Sequence, residues 1–414
     1  MNQQFYKVKK KNQNLIWLVV LMMFLLFVSC GSQELTEDDF SFEGPLGSEG
    51  TTIEKLGTNR FKVSLGHAPN HPDWPNKLNF RILRNARGKS LKLLVEGPPN
   101  YSFNEYFQSW SYDGENWQPI QWENGYQESP ELDSLVFPTF TQDQVHCGTQ
   151  VPLSYEKLKE MIEEWGASPY LEAHVIGKSI EGRNLYRLEI TDTESSHPRR
   201  SRWVHYFANQ HPGEHNSQWR MIGMIRWMLS DDAVEFRKRS ICHFVLMMSP
   251  DGPSHGWYRV NAEGVDMNRS YRPEGADSTE QAHEAYLCQK DLERLMKSEA
   301  PISSLWSMHT WQGPVEPLLR PGPEIGEKVG EWTEFRDIIR SHDPDTLIED
   351  LDLREGEPGY GYVSWAAGPH KQFNVSSVLC EGAGSLYTKD DNLQSGKILI
   401  RSIEKYYSGL RHSP

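Results

Sequence analysis

Several residues in this chain have the types and spacing to do chemistry together. The first pair lies in "FANQHPGEHNSQW" (207–219), where an apolar run stops at His211 and Glu214 follows three residues later. Pro212-Gly213 between them forces a turn, and a turn can aim both side chains at one point. Imidazole nitrogen and carboxylate oxygen both bind Zn²⁺ at about 2 Å, and a catalytic zinc takes three protein ligands and keeps a fourth place open. Alone, His-x-x-Glu says little in a chain with 15 His. The bland reading is a loop histidine and a solvated glutamate. Downstream, "SPDG" (249–252) is followed by "YRVNAEGVDMNRSY" (258–271), with Arg259 and the pair Asn268-Arg269. "SMHTW" offers His309 as a third ligand, and "SVLCEGAG" sets Glu381 behind an apolar stretch. Taken singly, Arg259 and Arg269 read as surface charges and Asn268 as a turn residue. A buried acid at Glu381 with no task would be costly. Two His, one Glu and a further unpaired Glu, with Arg and Asn nearby, point to metal-assisted hydrolysis of a substrate bearing a carboxylate.

Such groups need a scaffold that brings them to one place. From Ser154 onward, strand and helix signals alternate. Ser154 can cap a helix whose Leu158, Met161, Ile162 and Trp165 share one face, with Gly166 at its end. "NLYRLEIT", "WVHYFANQ" (203–210), "HFVLMMSPDG", "SLWSMHTW" and "SSVLCEGAG" read as strands, and "SQWRMIGMIRWML" (217–229) and "EQAHEAYLCQKDLERLM" as helices. The pattern predicts an α/β domain with helices on both faces of a mixed sheet, whose sites lie beyond the strand ends. Before Cys147 the chain reads as strands only. Phe61, Val63 and Leu65 alternate with polar residues, "LNFRIL" (78–83) and "LKLLV" (91–95) follow, and Asp113-Gly114 between aromatic flanks signals a hairpin. A small antiparallel β-sandwich over 46–150 is expected, ahead of a catalytic domain over 151–411.

The combination "GKSIEGRNLYRLEITD" (177–192), "HPGEHNSQW", "SPDG…YR…GVDMNR", "SMHTW" and the late Glu381 resembles the M14 family of zinc carboxypeptidases, and with the preceding β-domain it is most similar to the cytosolic-carboxypeptidase-like subgroup. The resemblance implies one Zn²⁺ held by His211, Glu214 and His309, with Glu381 as the general base toward the attacking water and then the acid toward the leaving amine. It implies that Arg259 polarises the scissile carbonyl, that Asn268 and Arg269 grip the substrate's terminal carboxylate, and that Tyr362 (or else Tyr360) covers the substrate. The implied activity is removal of the C-terminal residue of a peptide or protein. This chain departs from the family pattern at Ser249, at Ser307 two residues before His309, and at the Gly-Ala-Gly after Glu381. Two other readings share parts of the site: a zinc amidase acting on cell-wall peptides or other amides, and a catalytically silent peptide-binding lipoprotein. Lys371, His370, Arg354 and Arg320 could favour an acidic side chain if they face the cleft.

The N-terminus supplies a location. Lys7, Lys9, Lys10 and Lys11 precede an apolar run over 15–28 that closes on "FVSC". This resembles a bacterial lipoprotein signal over 1–29, with Cys30 lipidated and 30–45 as a tether, and it implies attachment to a membrane of the cell envelope. A plain membrane anchor is disfavoured, since the run is shorter than the roughly 20 residues a spanning helix needs. Without those 29 residues and their four lysines the net charge goes from −14 to −18. No basic stripe occurs, which argues against nucleic acid as a partner. Cys147, Cys242, Cys288 and Cys380 read as buried thiols first, with one disulfide open to them.

Overall fold

The structure, a computed structural model, describes residues 33–96, 108–120, 125–129, 132–310, 319–320, 329–343, 361–381 and 388–409. Its N-terminal part is built from two five-stranded sheets. One runs β1 (Phe40–Ser41), β6 (Phe80–Ile82), β12 (Val145–Thr149), β8 (Gln108–Ser111) and β9 (Gln118–Pro119); the other runs β10 (Gly125–Ser129), β11 (Leu132–Val136), β7 (Lys92–Glu96), β3 (Arg60–Ser64) and β2 (Thr52–Gly57). The period-2 pattern puts Phe61 and Val63 on one face of β3, and they join Phe80, Ile82, Leu93, Val95, Val145 and Cys147 in a common core. Each large apolar side chain buried there contributes roughly 1.5–3 kcal/mol. The expected hairpin is present: β8 pairs antiparallel with β9, and the Asp113 carboxylate accepts the backbone N–H groups of Glu115 and Asn116 at 2.9 and 2.8 Å.

Two expectations for this region are corrected. The sandwich is not wholly antiparallel, because β3 and β7 run parallel, Phe61 beside Leu93. A parallel pair needs a crossover of a dozen or more residues. The chain over 65–91 supplies it, passing through the short strands β4 (His67–Ala68) and β5 (His71–Pro75) and then β6 in the other sheet. The tether expected over 30–45 is, from residue 33 on, part of the fold. Leu35 and Phe40 are buried in the β-core, and β1 pairs with β6.

The second part centres on a seven-stranded mixed sheet. Its order is β13 (Leu171–Lys178), β14 (Asn184–Ile190), β16 (Ser240–Val245), β15 (Trp203–Asn209), β17 (Ser304–Met308), β19 (Ser376–Cys380) and β18 (Leu319–Arg320). The middle four are parallel, and the outer pairings at both edges are antiparallel. β16 and β17 are buried at every residue, as parallel strands covered by helices must be. β15 splits its side chains between two cores: Phe207 enters one, and Val204, Tyr206 and Ala208 enter the other. The first core is closed by helices Tyr155–Trp165, His215–Met228 and Lys389–Gly409, the second by helix His283–Met296. Ser154 caps its helix as expected, its hydroxyl accepting the Lys157 N–H at 3.0 Å. Cys147, Cys242, Cys288 and Cys380 are free and buried. Among the described residues no helix is long and apolar enough to cross a membrane; the apolar run over 15–28 and Cys30 lie outside them.

Candidate metal and hydrolytic site

Three parallel strands end side by side, and each delivers a candidate residue. β15 ends at Asn209 and leads to His211 and Glu214; β17 ends at Met308 and leads to His309; β19 ends at Cys380 and leads to Glu381. The register sets Met308 beside both Asn209 and Cys380, and the His309 N–H donates to the Cys380 carbonyl at 2.8 Å. Glu214 sits at the N-cap of helix His215–Met228, yet its carboxylate does not cap. Thr310 takes over that task, its hydroxyl accepting the Ser217 N–H at 3.0 Å. Glu214 is thereby left for the site, where its Oε2 accepts the Thr310 N–H at 3.1 Å. The positive end of the helix favours an anion there.

The three expected ligands converge. His211 Nδ1 lies 2.7 Å from Glu214 Oε1, His309 Nδ1 lies 3.0 Å from Glu214 Oε2, and the two Nδ1 atoms are 3.2 Å apart. All three residues are buried, and their ligand atoms fall within 4.8 Å of one another. Donors about 2 Å from one tetrahedral centre stand about 3.3 Å from each other, so one zinc-sized ion fits with small adjustments. The outer nitrogens are tied as well. His211 Nε2 meets Asp266 Oδ1 at 3.1 Å, and His309 Nε2 meets the Ser307 hydroxyl at 2.9 Å, which itself meets Gln210 Oε1 at 2.8 Å. With Nε2–H donating outward, each ring turns the lone pair of Nδ1 toward the common point. The residues present therefore fit Zn²⁺ in donor type, number and orientation. Burial alone would raise the Glu214 carboxyl, but His211 and His309 outweigh it and hold the group well below the usual carboxylate range. Burial would lower His211, but Glu214 and Asp266 win and keep it raised.

Asp266 joins the site without having stood out in the motifs. Besides His211, it takes the Arg259 Nε–H on Oδ2 at 2.6 Å and caps the turn Met267–Arg269 by accepting the Asn268 N–H on Oδ1 at 2.8 Å. Burial opposes its charge, yet His211, Arg259 and Arg269 hold its carboxyl far below the normal range. The signal in the sequence was an acid two residues ahead of the Asn268-Arg269 pair, inside "GVDMNR". Asn268 Oδ1 accepts the Trp365 N–H at 2.8 Å, so its amide NH₂ is the end left to donate to a ligand. Arg269 is half-buried on the same turn. The segment carrying Tyr362 is bonded to this turn, with the Tyr271 N–H on the Val363 carbonyl at 2.8 Å. Tyr362 itself is 37% exposed, and the Lys371 ammonium lies 5.1 Å from its ring centre. Tyr360 and Arg354 lie outside the described residues.

Glu381 is half-buried one residue past β19, and its backbone carbonyl accepts from the buried Arg220 guanidinium at 3.3 Å. Of the departures, Ser307 fills its supporting place with a neutral hydroxyl, while Ser249 Oγ is buried without a hydrogen-bond partner among the described residues. Other motif residues turn out to be scaffold. Asp251 of "SPDG" accepts from Ser179 at 2.7 Å and Arg183 at 2.8 Å, both from "GKSIEGR". A second unforeseen neighbour comes from the N-terminal, strand-rich part: Lys77 is buried beneath the His211–Glu214 turn, and desolvation pushes its ammonium down to about 7 despite the pull of Glu214.

Residues 160–303 match the family Peptidase_M14, described as zinc carboxypeptidase. That stretch contains His211, Glu214, Arg259, Asn268 and Arg269; His309 and Glu381 lie beyond it. Cytosolic carboxypeptidase 2 of Danio rerio is 35% identical over 153 residues, which is 35% of this chain and 21% of that protein. The match therefore spans about a fifth of that relative. Among solved structures, a metallo-carboxypeptidase from Burkholderia cenocepacia superposes with a TM-score of 0.72 at 18% identity, covering 89% of this chain and 99% of that one. A metallo-carboxypeptidase from Pseudomonas aeruginosa, in complex with (2-guanidinoethylmercapto)succinic acid, gives 0.69 at 19% identity, covering 90% and 100%. At these identities the likeness is one of fold. Residues 160–303 thus match the Peptidase_M14 zinc carboxypeptidase model, within a chain whose fold is like that of the solved carboxypeptidase structures.

Proposed function

We propose that this protein is a zinc metallocarboxypeptidase that hydrolyses the C-terminal bond of peptides or proteins. The observation that carries the reading is the convergence of His211 Nδ1, Glu214 and His309 Nδ1, with both outer imidazole nitrogens tied down. Zinc bound there supplies Lewis acidity toward water and the scissile carbonyl. The chain's own residues do the rest. The Asn268 amide and the Arg269 guanidinium take the terminal carboxylate, which selects a chain end over a chain interior. Arg259, steadied by Asp266, donates to the carbonyl oxygen as negative charge develops on it. Glu381 removes a proton from the attacking water and returns it to the leaving amine. Tyr362 covers the bound residue. Asp266 and Ser307 keep the two imidazoles in the tautomer the site needs.

The test is metal analysis of the purified chain together with digestion of matched peptides carrying a free or an amidated C-terminus. The reading expects about one zinc per chain and cleavage of the free terminus only. Equal cleavage of the amidated peptide would move the assignment to an amidase. Zinc with no cleavage of either would move it to peptide binding.

We further propose that the protein is anchored in the cell envelope through lipid on Cys30. The support is the Lys-flanked apolar run closing on "FVSC". Cys30→Ala is expected to leave the membrane fraction or to stall in processing. Normal cleavage with full membrane retention would point to another anchor.

A further inference from the structure

The crossover 65–91 does more than let β3 and β7 run parallel. It presses against the loops that carry the site. The Lys77 N–H donates to the Gly256 carbonyl at 2.8 Å, while the Lys77 side chain, 1% exposed, donates through Nζ to the carbonyl of Gly213. Gly213 stands between His211 and Glu214. A Cβ on Gly213 would lie 2.7 Å from Tyr258 Cα and 3.0 Å from Lys77 Cδ, so the turn packs closely against both and leaves no space for a side chain. The Gly213 N–H closes the arrangement by donating to the Tyr258 carbonyl at 2.9 Å. Three residues before Lys77, the half-buried Trp74 stacks on the Tyr258 ring, with centroids 6.1 Å apart and planes 14° apart. The guanidinium carbon of Arg259 lies 5.0 Å from the Trp74 ring centroid. Arg259 is thus held between an aromatic face from one domain and the Asp266 carboxylate of its own.

Domain glue alone does not account for these choices. A buried ammonium is a poor adhesive, because stripping it of water costs free energy that an apolar side chain of similar length would not lose. Among the described residues no carboxylate forms an ion pair with Lys77. What the lysine offers that a methionine cannot is a donor fixed on one carbonyl, that of the turn between two candidate ligands. Trp74 likewise offers a π face to a guanidinium that must be aimed.

We propose that Lys77 and Trp74 are positioning residues of the site: Lys77 sets the His211–Glu214 turn, and Trp74 sets the Arg259 guanidinium. The N-terminal domain is then a working part of the hydrolytic centre. This rests on His211, Glu214 and His309 being the metal ligands.

The test uses the full chain with Lys77→Met, Trp74→Leu and Trp74→Phe, reading zinc affinity by chelator competition, steady-state kinetics on a free-terminus peptide, and thermal unfolding. Wild-type zinc binding is measured first, and its absence would refute the ligand assignment itself. Given that binding, Lys77→Met should weaken zinc by about 10-fold or more, the usual effect of losing a group that orients a ligand. Trp74→Leu should keep zinc and lower kcat roughly 3- to 30-fold with KM little changed, and Trp74→Phe should restore most of it, since a benzene face also attracts a guanidinium. If Lys77→Met and Trp74→Leu lower only the unfolding temperature, with zinc affinity and kcat at wild-type values, the positioning role is refuted. Should Lys77→Met fail to fold, the Trp74 pair decides: equal kinetics for the Leu and Phe variants would overturn the proposal.

Discussion

Asp266 Oδ1 stands 3.1 Å from His211 Nε2, so a candidate metal ligand and the segment that carries Arg259 and Asn268 share one carboxylate. On the proposed reading, that side chain would join metal binding to substrate handling. Asp266→Asn keeps the size but removes the charge that balances His211 and Arg259. Zinc affinity is expected to fall about 10- to 100-fold, with a further loss in kcat because Arg259 loses its partner. Chelator competition and steady-state kinetics check this, and wild-type values for both would show that Asp266 is only a cap for its turn.

The two histidines are backed unequally. His211 leans on a carboxylate, whereas His309 leans on the Ser307 hydroxyl and, through it, on Gln210. Ser307→Ala removes the acceptor for His309 Nε2–H, and the ring can then adopt the other tautomer. A smaller loss of zinc affinity than in Asp266→Asn is expected, nearer 10-fold than 100-fold. A Ser307→Ala loss larger than the Asp266→Asn loss would reverse this ranking.

Histidine burial sets a pH limit on stability. His205 is fully buried, meets the Ser304 hydroxyl at 2.8 Å and lies edge-on to Tyr407, and burial drives its imidazole down from 6.5 to about 3. In the unfolded chain it takes up a proton at its ordinary value, so between about 3 and 6.5 the unfolded state binds more protons than the native one. Stability is then lost as pH falls through that window, by about 1.4 kcal/mol per pH unit for this residue. His205→Gln should remove that slope. Urea unfolding at pH 7 and pH 5 is expected to show a stability drop smaller by about 2 kcal/mol in the variant. An unchanged drop would place the acid sensitivity elsewhere.

Much of this arrangement could be read in the chain, and the failures share a cause. β15 was legible because its apolar run ends at a histidine, and the helix Tyr155–Trp165 because a serine cap, a 3.6-residue stripe and a glycine agree. The convergence of His211, Glu214 and His309 was legible because strand ends in an α/β sheet gather distant residues at one edge. The parallel pairing of β3 with β7 was not, since nothing in either strand records where a long crossover will return it. The two-residue β1 was too short to show a period, so Phe40 and its neighbours passed for a tether. Lys77 reaches Gly213 across 136 positions, and no local pattern announces such a contact. Asp266 stood within a quoted motif but was hidden by the more conspicuous Asn268 and Arg269 beside it.

The assignment of Glu381 as proton acceptor is the claim on which the mechanism turns, and one variant tests it most directly. Glu381→Gln preserves size and most hydrogen bonding but cannot take the proton. The measurement is kcat on a peptide with a free C-terminus, with zinc content and peptide affinity determined on the same preparation. The expected result is a fall in kcat of at least about 100-fold, as loss of a general base requires. Zinc content and affinity should hold, because His211, Glu214 and His309 keep the metal while Asn268 and Arg269 keep the carboxylate. Near-normal turnover in Glu381→Gln, or loss of zinc from it, would contradict the account.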